Sequence, residues 1–245
     1  MTPRLLPLLF MVFAAPVLAE QSWQSGNSQG VLLELYTSEG CSSCPPADRW
    51  LSGLTQHPDL WLSVFPIAFH VDYWNYLGWE DRFASSQAGK RQRLYRVQGN
   101  VNGVYTPGVI AAGQEWRSWR RNPTALPQGA GSVGALNLVE SEGAFSASFT
   151  SVVQVGEVTL NVAVLGFGMK TEVRAGENRG EELRHDFVVL GHSAFENQGL
   201  EWRGRLPDAP LSAEAERVAV VAWVSAVDRL TPIQVVGGWL SNEDR

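Results

Sequence analysis

The apolar positions follow one pattern in the first half of the chain and another beyond residue 134. Near the start, the run Val31-Leu32-Leu33-Glu34-Leu35-Tyr36, apolar except at Glu34, predicts a buried strand. It ends at Thr37-Ser38-Glu39-Gly40, a turn rich in capping residues. Over residues 45–54 the period becomes helical. Ala47, Trp50, Leu51 and Leu54 share one face, and Pro45 suits a first turn, where its missing N–H costs nothing. Residues 56–59 break this helix, and residues 62–71 form a second apolar strand. Strand, helix and strand with short connections predict a right-handed crossover and a parallel pair.

An irregular aromatic stretch follows, with Tyr73, Trp74, Tyr76 and Trp79. The pattern then predicts a helix over residues 83–97, with Lys90, Arg91, Arg93 and Arg96 on a solvated polar face. Val104-Tyr105-Thr106-Pro107 leads into a short strand at 109–112, and a short helix is expected over 115–121. Residues 123–134 are rich in Pro, Gly and small side chains, which marks a boundary. Beyond it, residues 144–153, 157–167, 185–193, 217–227 and 232–240 carry alternating or continuous β-branched and aromatic residues. The expected organisation is therefore α/β over residues 28–125, with a central mixed sheet and flanking helices. A linker over 126–134 then leads to a β-rich C-terminal domain over 135–245, an antiparallel sheet or small sandwich.

Composition narrows the function. Of 245 residues, 44% are hydrophobic and 18% charged, which describes a folded chain with a substantial core. A formal net charge of −6 lacks the broad positive field of nucleic-acid binding, so no nucleic-acid partner is expected. Arg4 is the sole charge before Glu20, and the apolar stretch between them is too short to span a bilayer. Pro16-Val17-Leu18-Ala19 offers small residues for a cut after Ala19, so residues 1–19 read as an export signal. An uncleaved N-terminal anchor is the alternative. No later segment supplies the roughly 18 apolar residues of a membrane helix, and a periplasmic or secreted protein is expected.

The candidate chemistry is Cys41-Ser42-Ser43-Cys44, the chain's only two cysteines. An exported protein meets oxidising conditions, where a disulfide persists. As a staple, so small a ring would contribute only about 2 kcal/mol, against about 4 to 5 for a long loop. That favours a reactive pair over a clip. Between a strand and a helix, the spacing reads as a thioredoxin-like redox motif. Cys41, at or just before the helix N-terminus, takes the nucleophile role, and Cys44 the resolving role. Glu39 works against thiolate formation and Ser42-Ser43 adds no positive charge, so a modestly activated thiol is expected. Pro107 enters a strand after a loop, where thioredoxin-like proteins place a cis-proline beside the cysteines.

The runs from Leu33 through Cys41 and Cys44 to Asp48, His70-Val71-Asp72-Tyr73-Trp74, Leu77-Gly78-Trp79 and Val104-Tyr105-Thr106-Pro107 resemble the family of domain of unknown function 1223. Gly176-Glu177-Asn178-Arg179-Gly180 resembles it too. The resemblance implies a thioredoxin-like core, bacterial export and a dithiol site, without supplying a reaction or substrate. Gly108 departs from it, standing where a larger residue is expected.

His70, near Asp72, has two functional readings: a proton shuttle, or a third ligand with Cys41 and Cys44 for a soft metal such as Cu(I). The plainer reading bonds it to Asp72 beneath Trp74. His57, His185 and His192 are expected to be structural. Trp74 and Trp79 form either an apolar rim for a peptide partner or ordinary packing. The segment 176–180 is either a ligand loop or a hairpin connection. Three functions follow: thiol–disulfide exchange with exported protein thiols or disulfides, needing no cofactor; copper binding through Cys41, Cys44 and His70; or a non-catalytic binding module.

Overall fold

A computed structural model describes residues 20–196 and 199–241; the expected signal over residues 1–19 lies outside the described residues. In chain order the elements begin with β1 (Gln21–Gln24), β2 (Val31–Thr37), α1 (Pro45–Gly53), β3 (Val64–His70) and α2 (Ser86–Val97). Next come β4 (Gly108–Ala111), β5 (Gln114–Glu115), β6 (Gly134–Ser141), β7 (Ala144–Ser151) and β8 (Val158–Phe167). The remainder are β9 (Met169–Glu172), β10 (Glu182–His185), β11 (Val188–Glu196), β12 (Glu201–Arg205), β13 (Arg217–Ala226) and β14 (Pro232–Trp239). The architecture is mixed α/β, mostly sheet with few helices.

Its centre is a large mixed sheet of eight strands in the order β14-β13-β8-β11-β3-β2-β4-β5. β2 and β3 run parallel from Val31 opposite Val64 to Thr37 opposite His70, with α1 between them in sequence. This is the expected strand–helix–strand unit. β2 is buried at every position, which is why its sequence is mostly apolar on both faces and not alternating, with Glu34 the buried exception. β4 joins its other edge antiparallel. The strands beyond residue 134 serve two sheets. β8, β11, β13 and β14 extend the large sheet, through β11 beside β3. β6 and β7 form a smaller sheet with β1 and β12. That sheet packs Leu136, Leu138, Phe145, Phe149 and Trp202 against Leu160, Val162, Val220, Ala222 and Val224 of the large one. Each large apolar side chain among them contributes about 1.5–3 kcal/mol by leaving water.

Several expectations change. β1 forms within the polar lead because Trp23, opposite Leu138, packs against this second core. α2 begins at Ser86 and not at residue 83, because the Ser85 side chain accepts the Ala88 N–H at 3.1 Å and caps it there. The helix expected over 115–121 is β5 followed by a single turn, Arg117–Arg120. Arg91 is not on a solvated face. It is 8% exposed, and its Nε and Nη2 donate to the Glu34 carboxylate at 2.8 and 3.2 Å. Glu34 also accepts from Tyr36 and Tyr95, so the charge inside β2 is neutralised by a charge inside α2.

Candidate functional site

Because β2 and β3 are parallel, their last residues, Thr37 and His70, lie side by side at one end of the sheet. β4 starts at that same end, with Gly108 opposite Tyr36, so Pro107 falls beside Thr37. The chain leaves β2 through Ser38, Glu39 and Gly40 into the cysteine pair. Cys41 and Cys44 form a disulfide, with Cα atoms 5.4 Å apart. The Cys44 N–H donates to the Cys41 carbonyl at 3.1 Å, and the Ala47 and Asp48 N–H groups donate to the Cys44 carbonyl at 2.8 and 3.2 Å. Cys44 is therefore the residue that caps α1, while Cys41 lies in the turn before it. Cys41 thus stands just before the helix and not at its first residue: Pro45 and Pro46 start the helix, and its dipole acts first on Cys44.

Both sulfurs are covered. Cys41 is 1% exposed and Cys44 0%, although Ser42 and Ser43 between them are exposed. The connection between β9 and β10, strands that pair antiparallel from Glu172 and Glu182, is hydrogen-bonded to the turn that carries the two cysteines. Asn178 donates from Nδ2 to the carbonyls of Glu39 at 2.7 Å and Cys41 at 3.1 Å. Glu177 Oε2 accepts from the Ser42 N–H at 3.1 Å and the Ser42 hydroxyl at 2.6 Å. Those bonds to Ser42 hold the Glu177 carboxyl below the usual carboxylate range. Gly176, at φ +75°, runs so close to Trp79 that a Cβ would lie 3.1 Å from the Trp79 Cβ. The segment 176–180 is thus a hairpin connection that also clasps the cysteine turn.

Beside the turn lies a buried group of ionisable side chains: Glu39, Asp48, His70, Asp81 and His185. His70 Nδ1 is 2.7 Å from Asp81 Oδ2; that oxygen accepts the Glu39 N–H at 2.9 Å, and Asp81 Oδ1 accepts the Phe83 N–H at 2.9 Å. Burial alone would lower His70, but the Asp81 charge and hydrogen bond outweigh it, and its pKa is raised. Burial would likewise raise Asp81, yet His70 and the two N–H donors hold it low. Asp48, one helical turn after Cys44, is raised by burial. His185 Nε2 approaches Glu39 Oε1 at 3.3 Å, its Nδ1 is 4.0 Å from Asp48 Oδ2, and its ring meets that of His70 edge-on at 4.9 Å. Glu39 Oε2 accepts from Trp79 Nε1 at 2.8 Å. His70 is therefore bonded to Asp81 and not to Asp72, and it packs on Phe83 and His185 instead of beneath Trp74. Among the described residues, no group of three or more His, Cys, Asp or Glu side chains is arranged to hold a metal ion, the set Cys41, Cys44 and His70 included.

The Thr106–Pro107 peptide is cis. Thr106 Oγ1 accepts from Trp74 Nε1 at 2.7 Å, and Gln92 donates from Nε2 to the Tyr105 carbonyl at 2.7 Å. A Cβ on Gly108 would stand 2.9 Å from the Tyr105 carbonyl oxygen, so this turn leaves no room for a larger residue there. Trp74 and Trp79 are each half-buried and tied by their indole N–H groups to the site. Tyr76, between them, is the exposed ring at 78%.

The chain matches, over residues 32–225, the model of a family described as protein of unknown function (DUF1223). It belongs to that family. No curated protein matches it. Among solved structures it is similar to protein AGR_C_4864 from Agrobacterium tumefaciens, with 23% identity and a TM-score of 0.63. That likeness covers 89% of this chain and 97% of the other. It is also similar to HBP35 of Porphyromonas gingivalis, at 14% identity and a TM-score of 0.57, over 89% of this chain and 77% of that one. At such identities the likeness concerns the fold.

Sequence reasoning brought Cys41, Cys44, Pro107 and His70 to one end of the sheet. It gave no role to Asp48 or Asp81, read His185 as structural, and left Glu177 and Asn178 in a segment read as a ligand loop or a hairpin connection. Asp48 carried a signal, because a carboxylate between the inward residues Ala47 and Leu51 interrupts an apolar face. Asn178 lay in a segment singled out only by resemblance. For His185 and Asp81 nothing local announces their partners.

Proposed function

We propose that this DUF1223 protein is an exported thiol–disulfide exchange protein with a thioredoxin-like core, acting on the thiols or disulfides of a protein partner. The observation that carries this reading is the placement of the Cys41–Cys44 disulfide. It closes the turn between a buried parallel strand and a helix, at the sheet end where Pro107 also lies. Small rings of this kind stabilise a fold little, and a chain with two extended apolar cores gains more from either core.

The exchange runs in two steps. A partner thiolate attacks Cys41 Sγ, forming an intermolecular disulfide and releasing Cys44 as a thiolate. Cys44 is the better leaving group because it caps α1, where the helix dipole stabilises negative charge. A second partner thiolate then attacks the partner sulfur of the mixed disulfide, releasing Cys41 and leaving the partner oxidised. Two electrons pass to the Cys41/Cys44 pair, and the reverse sequence reduces a partner disulfide. Both cysteines are buried, so in either direction the turn must open, and Glu177 and Asn178 are the side chains that hold it closed.

The test is a pair of serine variants. Cys44→Ser should accumulate mixed disulfides with exported proteins, and Cys41→Ser should abolish exchange. If both behave as the wild type in an exchange assay while keeping the wild-type circular dichroism, the proposal fails. Export is checked by the N-terminus of the protein recovered outside the cytoplasm, expected at Glu20. A full-length N-terminus would remove that part of the reading.

A further inference from the structure

We infer that the cleft between α2 and β11, a site separate from the cysteine pair, binds a small apolar carboxylate. The cleft has a volume of about 650 Å³, within the roughly 300–1,000 Å³ of small-molecule sites. It exists because α2 lies over β3 and the turn Pro210–Glu214 lies along the far side of β11, leaving the sheet between them without a covering helix. Residues 189–193 of β11 are accordingly only half-buried, unlike those of β2, β3 and β8.

The floor is not what a merely unfilled groove would present. Asn161 on β8 is 6% exposed and lines the cleft beside His192. Asn161 Oδ1 and His192 Nε2 are 3.0 Å apart, and the His192 ring stacks on Trp223 with the planes only 4° apart. Burial, then the nearby Arg91 charge, pushes His192 down to about 3, so the imidazole is neutral and Nε2–H donates to Asn161. The Asn161 amide N–H₂ has no hydrogen-bond partner among the described residues. A ligand's acceptor oxygen would take that donor, contributing about 0.5–1.5 kcal/mol net.

The charge on the walls selects the class of ligand. The lining contains no Asp or Glu, while Arg82, Lys90 and Arg91 all contribute to it. Arg82 is held by Glu214 and Arg91 by Glu34, but Lys90 is exposed and has no ion-pair partner among the described residues. Lys90 therefore takes the carboxylate at the rim. Phe69, Leu94, Leu211 and Leu230 provide the surface for the apolar body, and Leu94 is 40% exposed. A hydroxyl or carbonyl oxygen along that body reaches Asn161. At depth Arg91 is paired with Glu34, His70 with Asp81, and His192 is neutral, so the anionic group belongs at the rim with Lys90 and the uncharged acceptor at the floor.

Calorimetric titration of the full chain with decanoate, 3-hydroxydecanoate, decanol and decylamine tests this. Saturable decanoate binding is expected, tighter by about tenfold or more than decanol or decylamine, and tighter still for 3-hydroxydecanoate. Lys90→Glu should weaken decanoate by about tenfold while leaving decanol unchanged. Ala194→Trp, a change at an exposed position on the lining, should abolish binding of all four without altering the unfolding midpoint. Three results would each overturn the inference. They are no saturable decanoate binding, equal binding of decanoate and decylamine, and decanoate affinity unchanged in both variants. None of these bears on exchange at Cys41 and Cys44.

Discussion

Consider Asn178→Ala, which removes the two hydrogen bonds by which the β9–β10 connection clasps the cysteine turn, at 2.7 and 3.1 Å. The Asn178 side chain is buried, and both acceptors are backbone carbonyls of the turn itself. A buried amide hydrogen bond contributes about 1 kcal/mol net, so the closed clasp loses roughly 2 kcal/mol relative to the open one. The disulfide is at most 1% exposed when closed, so a reductant reacts only with the open fraction. If opening and closing outpace reduction, the observed rate scales with the opening equilibrium and should rise about thirtyfold. The assay is the pseudo-first-order rate at which a small water-soluble phosphine reduces Cys41–Cys44, followed by thiol titration in native buffer. Glu177→Gln is a useful companion. It keeps an acceptor for the Ser42 N–H and hydroxyl but removes the charge, and a smaller rise is expected. Should Asn178→Ala be reduced at the wild-type rate while unfolding at the wild-type urea midpoint, the clasp does not control access, and the argument from burial is wrong.

Two further perturbations test other parts of the site. Arg91→Met leaves the Glu34 carboxylate buried and without its ion-pair partner, so stability should fall by about 3–5 kcal/mol in urea titrations. The double change with Glu34→Leu should recover much of that loss, and a loss below about 1 kcal/mol for the single variant would show the pair to be dispensable. His70 and Asp81 give a pH signature. The raised His70 contributes stability that is complete below its unfolded value of 6.5 and disappears as pH climbs through its folded value. The lowered Asp81 contributes above its unfolded value of 3.8 and is lost as pH falls through its folded value. The stability difference between wild type and Asp81→Asn should therefore be largest near pH 5 and shrink toward pH 9, with Asp48, Glu39 and His185 common to both proteins. A difference that stays flat over this range in urea midpoints would refute the charged pairing.

The strand–helix–strand unit around the cysteines was legible because its signals are local. A mostly apolar, non-alternating run reports burial on both faces, two prolines mark where α1 begins, and a three-residue spacing lets two cysteines meet. Two kinds of decision were left to the tertiary structure. The first is which strands share a sheet. β1 lies in a polar stretch, and it becomes a strand only because β6, more than a hundred residues later, supplies its hydrogen-bond partners. The second is what surrounds a polar side chain. Arg91 reads as one of four basic residues on a helix until Glu34 draws it inside, and His185 reads as an ordinary strand residue until Glu39 and Asp48 stand beside it. Asn178 clasps carbonyls 139 and 137 positions away. Backbone periodicity is a property of neighbours in sequence, so the sequence by itself determined most of the elements and placed the two cysteines between a strand and a helix. Burial and hydrogen-bond partnership depend on neighbours in space, so only the fold decided that the pair lies buried, and which side chains clasp its turn.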